Sequence, residues 1–288
     1  MSGPLHKANE PAVPDGPRLP LDGAKVTAIR PAMDAGRRHD SGSAGTDPDL
    51  WSMLEAVITD AQSPQRVVAG VDGCRAGWVM AELAAGAITV GFEATFAAVM
   101  DRCGEIDSEV IAVDIPIGFA ADGVRPAESE ARRRLGARRS SLFPTPAHAV
   151  LKAADWNQAL TINRAVTGKG LSKQSFNLLA KSREVRAAVE PGDRRIVEAH
   201  PESSFTAMAG RPLEPKKSPT GRRQRRSLIA HHVGRVDTTA VDGRIGVGLD
   251  DILDACAVGW TAWRVAQGRA ETLGSGHDPD GFSLALII

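Results

Sequence analysis

Val67-Val-Ala-Gly-Val-Asp-Gly73, followed after a four-residue link by Trp78-Val-Met-Ala-Glu-Leu83, is the stretch from which the fold is read. The first run is apolar or glycine from Val67 to Val71 and stops at Asp72-Gly73, which is turn chemistry. The second resumes with β-favouring residues, and a third run from Ile88 to Phe92 follows, so the order predicts an antiparallel meander of three strands. Phe96, Val99 and Met100 then recur at helical spacing before Cys103-Gly104. Val110 to Val113 is a short apolar run that ends in Asp114-Ile-Pro-Ile-Gly118, where Pro and Gly stop regular structure. The predicted order is βββαβ.

Pro126 to Glu190 reads mostly as helix, broken at Ser140-Ser-Leu-Phe-Pro-Thr-Pro146 and at Gly168-Lys-Gly170. Arg194 to Ala199 supplies a fifth strand, and Pro215 to Val233 a basic connector and helix. Leu249 to Gln267 is a long helix with Leu253, Cys256, Ala257 and Trp260 in register. Asp280-Gly281 and the run Phe282 to Ile288 read either as a last edge strand or as a loose tail. The expectation is an α/β domain over residues 66–288, with a mixed five-stranded sheet flanked by helices and carrying a helical insertion. Residues 1–65 hold eight of the eighteen prolines and no sustained periodicity, a composition that buries too little apolar surface to offset ordering entropy. That extension is expected to be disordered, apart from a short docking helix at Leu50 to Ala61.

Lys plus Arg and Asp plus Glu both number 35, so net charge implies no general attraction to nucleic acid or anionic membrane. No apolar run reaches the roughly 18 residues that a spanning helix needs. The absence of Tyr argues against an aromatic platform for stacking single-stranded bases. Cys74, Cys103 and Cys256 share no CxxC-type spacing, which argues against a zinc site or a disulfide framework and for a reducing, cytoplasmic setting.

The acids carry the chemistry. Asp72 ends the first strand, Asp114 the fourth, Glu198 lies near the end of the fifth, and Asp251 and Asp254 stand three residues apart on the last helix. Carboxylates gathered at strand ends and on one helix are what phosphodiester hydrolysis with divalent cations requires. Each acid also has an ordinary reading: Asp72 and Asp114 as turn or cap residues, Asp251 and Asp254 as complements to a helix dipole, with Asp250 as the cap. His200 follows Glu198 by two, so on a strand both face one side, and its imidazole is a candidate proton shuttle.

Six motifs taken together resemble one family. They are Val71-Asp-Gly-Cys-Arg-Ala-Gly-Trp78, Asp114-Ile-Pro-Ile-Gly118, Arg138-Arg-Ser-Ser-Leu-Phe-Pro144, Gly168-Lys-Gly-Leu-Ser-Lys-Gln-Ser-Phe-Asn177, Val197-Glu-Ala-His-Pro-Glu202 and Asp251-Ile-Leu-Asp254-Ala. In order and content they resemble the RNase H-like nucleases predicted as domain of unknown function 429. The resemblance implies an RNase H-like fold and makes Asp72, Asp114, Glu198, Asp251, Asp254 and His200 the catalytic candidates. It further implies that Asp72, Glu198, Asp251 and Asp254 hold Mg²⁺ or Mn²⁺, and that the partner is DNA or RNA. The chain departs from the family pattern at Ala127-Glu128, where Cys-Asp is expected, and at Arg186, where an Asp is expected.

Basic residues concentrate in two segments, Arg125 to Arg139 and Arg211 to Arg226, which either grip phosphates or form solvated helix faces. Arg138 and Arg139 are the phosphate candidates in the first. Gly168-Lys-Gly-Leu-Ser-Lys173 is no P-loop, because Lys169 is followed by Gly where Ser or Thr is needed. Lys169, Lys173 and Gln174 still offer donors to a substrate beside flexible glycines. The rival expectation is a non-catalytic RNase H-like module that binds nucleic acid or protein and keeps its acids for structure.

Overall fold

Strand β1 (Val67–Gly73) is buried over its middle, Val68 to Asp72, because both faces of the sheet are covered. Successive side chains alternate faces: Val68 joins one core with Leu253 and Cys256, whereas Ala69 and Val71 join another with Phe96, Val99 and Val185. The computed structural model describes residues 66–84 and 87–288. The expected disordered extension and its docking helix lie outside the described residues.

β1 pairs antiparallel with β2 (Trp78–Ala84), which pairs antiparallel with β3 (Ala87–Glu93). Helix α1 (Phe96–Glu105), capped by the Thr95 hydroxyl on the Ala98 N–H, leads to β4 (Val110–Asp114), parallel to β1. Next come α2 (Pro126–Leu135), two short 3₁₀ turns, α3 (Trp156–Thr167) and α4 (Lys173–Ala188), the expected helical insertion. β5 (Ile196–Glu198) lies parallel to β4. Helices α5 (Pro201–Ala209) and α6 (Pro219–His232) follow, then β6 (Arg235–Asp237) and α7 (Leu249–Ala266). The chain closes with a ribbon of β7 (Thr272–Leu273) and β8 (Leu286–Ile287).

The fold is mixed α/β, with sheet order β5-β4-β1-β2-β3-β6. Two expectations need correcting. The sheet has six strands rather than five: Arg235-Val-Asp237 pairs parallel with β3, and its single apolar residue had no periodicity to mark it. The C-terminal run contributes only Leu286–Ile287 to a ribbon separate from the sheet, and Ile287 makes one bridge to Ala199.

Helix α7 crosses β1, β4 and β2 at unusually close range. Gly70 and Gly259 permit this, because their backbones meet where any β-carbon would intrude. On the opposite face, α1 and α4 cover Val71, Trp78 and Ile111. Among the described residues no helix is long and apolar enough to cross a membrane, and the three cysteines are free and buried.

Candidate functional site

The parallel register of β1 and β4 sets Asp72 opposite Asp114 at the carboxyl ends of the two strands. Paired residues of a sheet point the same way, here toward α7. Asp254, on the second turn of α7, lines the same cleft of about 600 Å³ as Asp72 and Asp114. Three acids remote in sequence therefore converge, and Asp72 and Asp254 are each only 7% exposed.

Burial and mutual repulsion dominate their electrostatics. The Asp72 carboxyl is held well above the usual range, first by burial and then by the charges of Asp114, Asp254 and Asp251. Asp114 is raised by burial and by Asp254, and a hydrogen bond with Asp72 partly offsets the rise. Asp254 is pushed up to about 6 by burial, against the pull of Lys216. The Lys216 ammonium sits 2.9 Å from Asp254 Oδ2, and the acids raise its pKa in turn. Lys216 is the residue that reading the sequence missed. It lay inside the basic segment Arg211 to Arg226, but nothing in the sequence separated it from its neighbours.

These shifts carry a prediction with a definite sign. A carboxyl whose folded pKa lies above its unfolded pKa lets the native state bind more protons, so stability falls as pH rises through that interval. Each unit of such a rise costs about 1.4 kcal/mol once the group is ionised in both states. Asp72→Asn removes one charge from the cluster, so the variant is expected to melt higher than wild type at pH 7.5, with the gain vanishing near pH 4. Thermal unfolding across that range checks it, and a variant less stable than wild type at pH 7.5 refutes it.

Glu198 is separated from the trio by a single step of register. It pairs with Val113, not Asp114, so its side chain leaves the other face of the sheet. There the Arg125 guanidinium bonds Glu198 Oε1 at 2.9 Å and the Ile117 N–H bonds Oε2 at 2.7 Å. Burial raises the Glu198 pKa, and Arg125 opposes the rise. Glu198 still borders the cleft, but its oxygens are engaged elsewhere.

Asp251 is occupied as well. Its Oδ2 accepts the Gly248 N–H at 2.8 Å, so Asp251 closes the start of α7, and the assignment of Asp250 as the cap is corrected. His200 lines the cleft as the residue before α5, with Nδ1 3.1 Å from the Ser203 hydroxyl. Burial lowers its pKa to about 4, so the imidazole is neutral at pH 7.

The basic candidates divide. Arg138 lines the acidic cleft together with Lys216 and Lys217, and its buried Nε has no partner among the described residues. Arg139 is exposed on the 3₁₀ turn beyond α2. Lys169 borders a different cavity beside Asn163 and Thr167, Lys173 stacks on Trp156 at 3.6 Å, and Gln174 is exposed at the start of α4. The structure does not bring these last three to the acids. The two departures from the family pattern have structural uses. Glu128 accepts the Thr145 N–H at 3.0 Å, and Arg186 bonds the Ile117 carbonyl, Asp278 and Asp280, tying down the C-terminal segment.

The donors at the cleft suit a hard divalent cation in kind, since carboxylates crowded enough to raise one another's pKa are relieved by positive charge. Their arrangement is not a ready ligand shell. Among the described residues no group of three or more His, Cys, Asp or Glu side chains is disposed to hold a metal ion, and Lys216 already engages Asp254.

A family model described as "Protein of unknown function (DUF429)" matches residues 70–278. No curated protein and no solved structure matches the chain.

Proposed function

The chain belongs to the family of unknown function DUF429, and from that premise we propose that it is a metal-dependent phosphodiesterase of RNase H-like architecture that acts on nucleic acid. One observation carries the reading: Asp72, Asp114 and Asp254, drawn from two strand ends and a helix, meet in one cleft beside the cations Arg138, Lys216 and Lys217. Acids that carry out hydrolysis and bases that hold phosphate are both needed for this chemistry, and here they share one space.

Arg138 and Lys217, both in the lining of the cleft, bind the phosphate on either side of the scissile bond. Lys216 neutralises charge that builds on the phosphoryl oxygens while holding Asp254 in place. Asp254, with a pKa near 6, is largely ionised at pH 7 and able to accept a proton from an attacking water. Neutral His200, held by the Ser203 hydroxyl and the Ser141 carbonyl, flanks the cleft as an uncharged group that positions its wall. Asp72 and Asp114, the pair of acids that Lys216 leaves free, would hold Mg²⁺ or Mn²⁺, which would supply Lewis-acid activation of the phosphodiester. Three buried free thiols support a reducing, cytoplasmic setting.

The test is a panel of labelled single- and double-stranded DNA and RNA incubated with Mg²⁺ or Mn²⁺. Metal-dependent cleavage is expected for at least one substrate, falling about 100-fold in Asp254→Asn. Calorimetric titration with Mn²⁺ separates the rival reading, a non-catalytic module, which is favoured by the Lys216 contact that already satisfies Asp254. No cleavage and no metal binding at millimolar concentration would overturn the phosphodiesterase reading and favour the module.

A further inference from the structure

A second cavity, of about 500 Å³, lies between α2, α5 and α7 and shares no lining residue with the acidic cleft. On α7 it begins near Trp260 and Arg264, and Arg264 is ten residues beyond Asp254, roughly 15 Å along the helix. Its size falls within the range of small-molecule sites.

Three features mark it as built for a ligand. The first is charge. Arg134 is neutralised by Glu130 and Glu271 at 2.6 Å each, but Arg264 and Arg269 form no ion pair among the described residues. The Arg264 guanidinium rests over the Trp260 ring at 4.8 Å and donates to the Arg269 carbonyl, and burial lowers its pKa with only partial compensation from Glu271. The second is unmet hydrogen bonding. The buried hydroxyl of Thr206, in the lining of the cavity, has no partner among the described residues, while His232 beside it is 3% exposed and meets the Met208 backbone. A buried polar atom without a partner costs about 1–3 kcal/mol, so the Thr206 hydroxyl calls for one from outside the protein. The third is an apolar wall formed by Leu135, Met208 and Trp260.

The geometry points to a binding site for a small organic anion, with its carboxylate or phosphate head on Arg264 and Arg269, its apolar body against Leu135 and Met208, and a polar atom meeting Thr206. The cations demand negative charge and the Thr206 hydroxyl a hydrogen bond, and neither is satisfied by a purely apolar guest. An inorganic anion alone leaves the wall and Thr206 unserved. The site stands independently of the phosphodiesterase reading, because it uses none of the residues placed in that chemistry.

The experiment titrates the full chain by calorimetry with phenyl phosphate, benzoate, inorganic phosphate and phenol. Saturable binding is expected for phenyl phosphate, benzoate or both, at least about tenfold tighter than for inorganic phosphate or phenol, since head and body must act together. Which of the two aromatic anions binds better identifies the head group. Affinity should fall about tenfold or more in Arg264→Gln and in Arg269→Gln, the latter at an exposed side chain whose replacement leaves the fold intact. Asp254→Asn should bind as wild type does. Absence of saturable binding of either aromatic anion at millimolar concentration overturns the proposal, as does binding that both arginine variants retain or that Asp254→Asn abolishes.

Discussion

Gly70→Ala is expected to destabilise the protein by at least ~3 kcal/mol, near the upper end for an added methyl group, because this site has no room to relax. A β-carbon there would stand 2.2 Å from the Ala255 carbonyl oxygen and from the Gly259 nitrogen, and 2.5 Å from the Gly259 α-carbon. All three are backbone atoms of α7, so no side chain can swing aside. Relief requires lifting the helix off β1, β2 and β4 and opening the core that Leu253, Cys256 and Ala257 form with the sheet. The same displacement carries Asp254 away from Asp72, so the cleavage proposed for the acidic cleft should fall with stability. Gly91→Ala is the control: it lies on β3, and nothing stands within 4 Å of its added carbon. Urea midpoints measure both. A loss below about 1 kcal/mol for Gly70→Ala would mean that the close packing of α7 is not a constraint.

The second large effect concerns Arg125, whose side chain is 1% exposed and whose partner Glu198 is 7% exposed. Removing one member of a buried pair strands the other, and Arg125→Met is expected to cost about 3–5 kcal/mol. Thr145 and the Leu284 carbonyl lose a donor at the same time, which loosens the C-terminal segment against the sheet. The doubly substituted Arg125→Met, Glu198→Gln should recover part of the loss, because only Glu128, 3.7 Å from Arg125 and less deeply buried, is then left without its cation, and Gln can still accept the Ile117 N–H. The pH dependence has a fixed sign. Burial already raises the Glu198 pKa, and without Arg125 the opposing attraction is gone. The single variant should therefore lie closer to wild type in stability at pH 5 than at pH 8. A single variant as stable as wild type, or a double variant less stable than the single, would show that Glu198 does not depend on Arg125.

Glu198 also illustrates the difference between a residue's place on a strand and the face of the sheet that it uses. Its position at the end of the fifth strand was legible, since Arg194 to Ala199 reads as extended and leads into His200-Pro201. What the pattern does not contain is register. A one-residue offset between β4 and β5 turns Glu198 to the opposite face from Asp114, because the side-chain period of a strand is two. Asp251 and Asp254 make the parallel case on a helix. Both were visible as one turn apart, but only the position of the helix start assigns Asp251 to the Gly248 N–H and leaves Asp254 for the cleft.

By itself, the sequence determined the chain order of β1 to β5 and the helix α7, and it named Asp72, Asp114 and Asp254, because burial patterns and turn residues are local properties of the chain. The tertiary structure alone decided that Lys216 joins those three acids, that Arg125 draws Glu198 away, and that Lys169, Lys173 and Gln174 lie elsewhere. It also decided that Arg235–Asp237 becomes a sixth strand. These depend on register, on the approach of α7 to β1 and on where long connections land, and such distances arise from packing between segments far apart in the chain.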